Sequence, residues 1–252
     1  DTGAVNEDAT VTGTGSVTGT GVLGNDDNGG SAYESEDSTL RVTQAKPDGG
    51  SYTTVASGSS ANISGTYGTL TLYSTGQYSY TPDNTTAQAL TDGATATETF
   101  VYEIKDDADV NASTANLVFT ITGVNDDITA VDDTDSLDEG TSVIRDNTSA
   151  SSLDYDDTDP DSGNTYATHQ ITAIRLGNSE GSGTAGTIGE PLKGTYGRLT
   201  VFADGSYIYQ ANNNILDGNG DRIIAGDTVT DTFNYTVSDT DGDTDIAVLT
   251  IS

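Results

Sequence analysis

The sequence predicts an all-β protein that consists of two tandem Greek-key β-sandwiches joined by a short acidic linker. Long stretches of its first half recur in its second half, which indicates two copies of one domain. In both halves apolar residues alternate with Thr and Ser, at the two-residue period of a half-buried strand. The chain is rich in Thr, Ser, Gly, Val and Tyr, a composition that favours strands and turns over helices.

The internal repeat sets the predicted domain boundaries. We expect domains at residues 1–124 and 130–252, with a linker at 125–129. The recurring segments are separated by 129 residues for the first pair and 133 for the second, with a shorter match near the two starts. The matched pairs are Gly65–Tyr80 with Gly194–Tyr209, Thr97–Asp106 with Thr230–Asp239, and Ala4–Asp8 with Ala130–Thr134.

The strand prediction is clearest around the first repeat. Leu70 and Leu72 alternate with polar residues, as do Tyr78 and Tyr80, and a Ser-Thr-Gly turn lies between the two runs. This pattern predicts a β-hairpin. Similar runs elsewhere give about seven strands per domain, the count of an immunoglobulin-like sandwich. The alternating Tyr and Phe residues are interpreted as core residues.

Charge restricts the partners. The chain carries 40 acidic and 8 basic residues, for a net charge of −32. Nucleic acid is excluded as a partner because phosphate binding needs clustered Lys and Arg. No apolar run approaches the roughly 20 residues of a membrane-spanning helix, and no signal peptide is visible. We expect a monomeric fragment of a longer chain.

Four motifs together resemble a known family. They are Gly-Thr-Tyr-Gly-x-Leu-Thr-(Leu/Val), Gly-x-Tyr-x-Tyr, Thr-Phe-x-Tyr and Gly-Val-Asn-Asp. The chain resembles the VCBS-type, cadherin-like repeats of large bacterial RTX adhesins over nearly its whole length, twice. The resemblance implies a calcium-dependent extracellular β-sandwich, one of many in tandem. Asp127-Ile128 stands where the family linker usually continues with Ala-Pro.

Acidic clusters in loops predict several calcium ions. Because Cys is absent, any metal must bind through oxygen, and calcium takes six to eight oxygen ligands. Adjacent carboxylates about 4 Å apart repel by roughly 1 kcal/mol even in water, so converging ones need a cation. The candidate ligands are the linker group Asn125, Asp126, Asp127, Asp132 and Asp133; the early loop Asp154, Asp156, Asp157, Asp159 and Asp161; the turn Asp239, Asp241, Asp243 and Asp245; its counterpart Asp106, Asp107 and Asp109; the loop Asp217, Asn219 and Asp221; and Glu7 and Glu139.

Topology predicts which clusters meet. In a sandwich, the turn before the last strand and the loop after the second strand lie at the end where the chain enters. Asp239–Asp245 and Asp156–Asp161 are therefore expected to converge with Asn125–Asp127. By the same reasoning Asp106–Asp109, together with Asp26 and Asp27, point toward a preceding domain, and the Asp217–Asp221 loop lies at the far end of the second domain.

The predicted function is a calcium-rigidified spacer that projects ligand-binding domains from a bacterial cell surface for adhesion or biofilm formation. The alternative is a calcium-dependent carbohydrate- or peptide-binding domain, with Tyr33, Tyr155 and Tyr166 as candidate contacts. An enzyme is not expected, because His169 is the one His and there is no Cys.

Overall fold

The computed structural model describes residues 1–14, 21–24, 26, 40–105, 112–148, 150 and 152–252. As predicted, the fold is all-β, and these residues contain no helix. The chain divides into two compact units, Asp1–Asn125 and Asp126–Ser252. Across the described ranges, no helix has the length and apolar character required to traverse a membrane.

Unit 1 is a sandwich of a five-stranded and a four-stranded sheet. The larger sheet has the order β1-β9-β8-β3-β4 and the smaller has β2-β7-β6-β5. Strand β1 runs parallel to β9, and the other paired strands are antiparallel. The strands are β1 (Thr2–Asn6), β2 (Val11–Gly13), β3 (Arg41–Pro47), β4 (Thr53–Thr54), β5 (Ser60–Ser64), β6 (Thr69–Tyr73), β7 (Tyr78–Thr81), β8 (Thr95–Lys105) and β9 (Ala112–Thr122).

Unit 2 repeats this topology. Its sheets have the orders β10-β18-β17-β12-β13 and β11-β16-β15-β14, and β10 runs parallel to β18. The strands are β10 (Asp133–Asp135), β11 (Ser142–Arg145), β12 (Gln170–Leu176), β13 (Thr184–Ala185), β14 (Leu192–Lys193), β15 (Gly197–Val201), β16 (Tyr207–Ala211), β17 (Asp231–Ser238) and β18 (Thr244–Ile251). The described part of each unit thus has nine strands rather than seven, because strands of two or three residues are too short to show alternation.

The aromatic residues lie between the sheets, as predicted. In unit 1 the rings of Tyr80 and Phe119 stack with centroids 4.2 Å apart, and Phe100 meets both rings edge-on. In unit 2 Tyr209 packs edge-on against Phe233. All five side chains are buried. Each unit therefore has its own hydrophobic core, to which both of its sheets contribute.

Strand pairing corrects how the two starts correspond. Gly3 lies opposite Phe119, and Asp135 lies opposite Ile251, at the same level of the final hairpin of each unit. The predicted match of Ala4–Asp8 with Ala130–Thr134 is therefore wrong, since an Ala-Val pair is too short to define a register. The structural counterparts are Asp1 with Asp133 and Glu7 with Glu139.

The Gly-Thr-Tyr-Gly motif has the same role in both units, because its backbone amides enclose a buried carboxylate. In unit 2 the N–H groups of residues 195–197 donate to Asp231 at 2.8, 3.0 and 3.1 Å, and the Tyr209 hydroxyl donates at 2.7 Å. In unit 1 the N–H groups of residues 66 and 67 donate to Glu98 at 3.0 and 2.7 Å. The motif thus fastens the turn before β6 or β15 to β8 or β17.

Candidate metal centre

Acidic side chains from three segments meet at one end of unit 2. The segments are the start of the unit at 126–133, the loop at 152–161 and the β17–β18 turn at 239–243 with the first residues of β18. They meet because β18 runs toward the end of the chain, so that the turn before it lies where the chain enters the unit.

The first segment of unit 2 is bound by carboxylates of the other two. Three backbone N–H groups within residues 126–131 donate to Asp161, Asp245 and Asp157 at 3.1, 2.8 and 2.8 Å. Thr129 also forms an antiparallel bridge with Thr158. The backbone of this segment is therefore held at fixed positions beside the acidic loop and turn.

Asp133 and Asp157 form the first acidic group. Burial raises the pKa of each carboxyl to about 7, and the charges of Asp156 and Asp154 act in the same direction. Asp245 adds its charge to the effect on Asp157. The Asp133 carboxylate lies 2.7 Å from the Tyr235 hydroxyl. These groups are close enough to repel one another, and a divalent cation among them would reverse that repulsion.

Asp159, Asp161 and Asp239 form the second acidic group. Burial raises the pKa of Asp159 to about 6, and the charges of Asp161 and Asp239 act in the same direction. One carboxylate oxygen of Asp239 accepts N–H groups from residues 241, 242 and 243 at 2.9, 2.7 and 3.0 Å, which folds the turn around it. Its other oxygen is left for a different partner.

Four carboxylate oxygens in these segments are buried and accept no hydrogen bond from the described residues. They belong to Asp154, Asp157, Asp159 and Asp239. A buried carboxylate oxygen without a partner is unfavourable, and several together are more so. Calcium is the ion that the donor set fits, because it takes many carboxylate oxygens in flexible geometry and requires neither nitrogen nor sulfur.

Unit 1 has a corresponding arrangement at its own entry. The Tyr102 hydroxyl lies 2.6 Å from the Asp1 carboxylate and 2.5 Å from that of Asp26, as Tyr235 lies against Asp133 in unit 2. The remaining acidic residues predicted at this end, Asp27, Asp106, Asp107 and Asp109, lie outside the described residues, as does Tyr33. The sequence prediction missed Asp1 and the two tyrosine hydroxyls, because their positions depend on the register of β1 and on the packing of the core, which local sequence patterns do not give.

Two other predicted ligands accept hydrogen bonds from neighbouring segments. Asp132 accepts the N–H of Val248 at 2.8 Å, whereas Asp133 on the opposite side of the chain lies in the first acidic group. Asp127 is exposed, and Asp241 accepts the Asn164 side-chain amide at 3.2 Å. Asn125 is half-buried and is the last residue of unit 1. Asp243 is the last residue of the β17–β18 turn.

The two glutamates and the far loop have backbone partners. Glu7 is buried in unit 1 and accepts the N–H of Val124 at 2.6 Å, and Glu139 accepts that of Ile215 at 2.6 Å. The Asp217 carboxylate accepts the N–H groups of residues 219 and 221 at 2.8 and 2.9 Å, and these bonds lower its pKa. This loop, with Asn219 and Asp221, precedes β17 and so lies at the opposite end of unit 2 from the acidic groups, as predicted.

His169 and the two tyrosines of unit 2 are also located. His169 is buried, and burial lowers its pKa. The rings of Tyr155 and Tyr166 lie 5.1 Å apart at an angle of 42°, and both are partly exposed.

Comparison with known proteins points to one family. The model of the bacterial cadherin-like domain matches residues 125–252. No curated protein matches the chain. The chain is 14% identical to the human CDH23 EC21-23 structure, covering 100% of this chain and 71% of that one with a TM-score of 0.42. It is 10% identical to Drosophila N-cadherin EC1-4, covering 99% of this chain and 46% of that one with a TM-score of 0.38.

Proposed function

The chain belongs to the bacterial cadherin-like domain family, whose modules are of the extracellular adhesion type, and we propose that it is a calcium-rigidified spacer. In this proposal it is part of a secreted bacterial cell-surface adhesin of the RTX type with VCBS-type repeats. It projects ligand-binding domains away from the cell, and its partners are neighbouring repeats of the same chain.

One observation supports calcium most directly: four buried carboxylate oxygens without a hydrogen-bond partner lie in the loop and turn beside the first segment of unit 2. Asp133, Asp156, Asp157 and Asp245 would hold one ion, and Asp159, Asp161 and Asp239 another. Asp126 and Asp127, at the start of the same unit, would complete the coordination. Calcium supplies charge neutralisation and many-fold oxygen coordination when bound.

The proposed rigidity of the spacer arises because one ion would bind residues from several segments at once. An ion bound by the first segment, the loop and the turn would fix the direction in which the chain enters unit 2. A ligand that binds only this ordered arrangement stabilises it by mass action. The pair Asp1 and Asp26 in unit 1 supports a repeated design, in which each unit has acidic groups at its entry.

Small-angle scattering of the 252-residue chain tests the proposal. Millimolar calcium is expected to give a single narrow pair-distance distribution, and a chelator is expected to broaden it and change the maximum dimension. Asp239→Asn should weaken this response, because it removes charge from the second acidic group. The matched control is Asp48→Asn, which removes the same charge from an exposed position in unit 1. A maximum dimension and a stability that are the same in calcium and in chelator would contradict the proposal.

A further inference from the structure

A groove in unit 2 lies between the Gly-Thr-Tyr-Gly motif and the segment after β16. It has a volume of about 550 Å³ and is lined by residues 195–196 and 212–216. This volume is within the roughly 300–1,000 Å³ of small-molecule sites. The groove is separate from both acidic groups, because its lining contains none of their residues.

The lining combines uncharged amides with apolar surface. Asn212, Asn213 and Asn214 are consecutive and exposed. The oxygen of the Asn213 amide lies against Gly140, whereas the side-chain amides of Asn212 and Asn214 have no hydrogen bond with another described residue. Each amide offers a carbonyl acceptor and an NH₂ donor. Tyr196 is half-buried and Leu216 is 49% exposed, so an aromatic ring and an aliphatic side chain lie beside these amides.

The corresponding amide in unit 1 is already used. Asn84 occupies the place of Asn213 after the repeated hairpin. Its NH₂ group donates to the carbonyl of Thr66, and its oxygen accepts the N–H groups of Thr86 and Ala87 at 3.0 and 3.2 Å. At this position, the sequence difference that replaces Asp83-Asn84-Thr85 with three asparagines therefore leaves more hydrogen-bonding groups open in unit 2 than in the described part of unit 1.

We propose that this groove binds a neutral sugar residue. A pyranose ring has an apolar C–H face, which suits the Tyr196 ring and Leu216, and a rim of hydroxyls that both donate and accept. Adjacent asparagine amides match such hydroxyls in pairs. The net charge of −32 repels acidic sugars, and the groove has no basic side chain to retain them. This proposal is independent of calcium.

Saturation-transfer NMR on the full chain tests it. The probes are glucose, galactose, mannose and N-acetylglucosamine, with their β-linked disaccharides, and glucuronic acid as the charged control. At least one neutral sugar should receive saturation at millimolar concentration. The double variant Asn212→Ala, Asn213→Ala changes exposed residues and should weaken the binding of that sugar about tenfold or more, because hydrogen-bonding groups of the groove are lost.

Two tyrosine variants complete the test. Tyr73→Ala removes a 40% exposed ring from unit 1 and should leave binding unchanged. Tyr155→Ala removes the exposed ring beside the acidic loop, and should also leave binding unchanged. The proposal is overturned if no neutral sugar receives saturation, if the asparagine variant binds as well as the wild type, if Tyr155→Ala abolishes binding, or if glucuronic acid binds best.

Discussion

Glu98 and Asp231 are buried carboxylates that have backbone amides as partners instead of cations. A buried charge must be paired or densely hydrogen-bonded, and a turn whose successive N–H groups converge can satisfy one carboxylate without any lysine or arginine. A chain with 8 basic residues has few ion pairs to offer its 40 acidic ones. The converging N–H groups of the Gly-Thr-Tyr-Gly motif, here called the amide cradle, and the proposed calcium sites are thus two ways to compensate buried negative charge.

The first glycine of each cradle is required for close approach of the carboxylate. A Cβ atom at Gly194 would lie 2.3 Å from Asp231 Oδ2, so the carboxylate would have to shift away from the N–H groups of residues 195–197 that it now accepts. We expect Gly194→Ala to lower the free energy of unfolding by about 2–3 kcal/mol, the scale of lost hydrogen bonds to a charged group. Urea denaturation measures it.

Gly218→Ala is the matched control for this variant. A Cβ at Gly218 would meet no atom within 4 Å, and the residue is exposed in the same unit. Its effect should stay within about 0.5 kcal/mol. Equal effects of the two variants would show that the amide cradle does not require a glycine at position 194.

At the scale of elements, the segment predicted as a linker is partly a core element of unit 2. Ile128 is buried in the hydrophobic core of that unit, three residues after unit 1 ends at Asn125. Ile128→Ala should therefore lower the unfolding free energy of unit 2 by about 2–4 kcal/mol, through lost burial and the cavity that remains.

The control for the linker variant is Val131→Ala. Val131 is 39% exposed and lies in the same stretch, so its truncation should have a much smaller effect. Both variants are measured by denaturant unfolding in calcium and in chelator. If Ile128→Ala costs no more than Val131→Ala, then Ile128 does not anchor the segment by packing.

The sequence predicted the elements whose signals are local. The first hairpin was expected to turn at Ser-Thr-Gly, and Gly76 of that turn has positive φ, at 82°; its counterpart Gly205 in the repeated hairpin has φ 78°. The short strands β4 and β13 could not be predicted, since two residues show no alternation. The register of β1 and β10 could not either, because it depends on pairing with strands more than 100 residues away.

The same distinction holds for the candidate metal centre. Convergence of the loop, the turn and the start of unit 2 was deduced from strand direction, and the hydrogen bonds to Asp157, Asp161 and Asp245 agree with it. That Asp132 and Asp133 diverge was not deduced, although the alternation of side chains along a strand requires it. The hydroxyl of Tyr235 beside Asp133 needed the packed core to be known.

At the scale of the whole molecule, the net charge of −32 has two explanations with different consequences. If the charge is diffuse and only needs screening, any salt of equal ionic strength stabilises the chain equally, because screening depends on ionic strength. If carboxylates converge on ions, calcium acts at far lower concentration by specific binding, with a gain of about 2.7 kcal/mol at one hundred times its Kd.

Thermal unfolding at matched ionic strength separates the two explanations. We expect millimolar calcium to raise the midpoint of unfolding well above that in sodium chloride. Magnesium should raise it less, because it requires near-ideal octahedral geometry and gives up water reluctantly. Asp157→Asn should reduce the calcium-specific part while leaving the sodium chloride response unchanged, because it alters one site and barely changes total charge. Identical midpoints in calcium, magnesium and sodium chloride would mean that the acidic groups are merely screened, and the spacer would then need another source of rigidity.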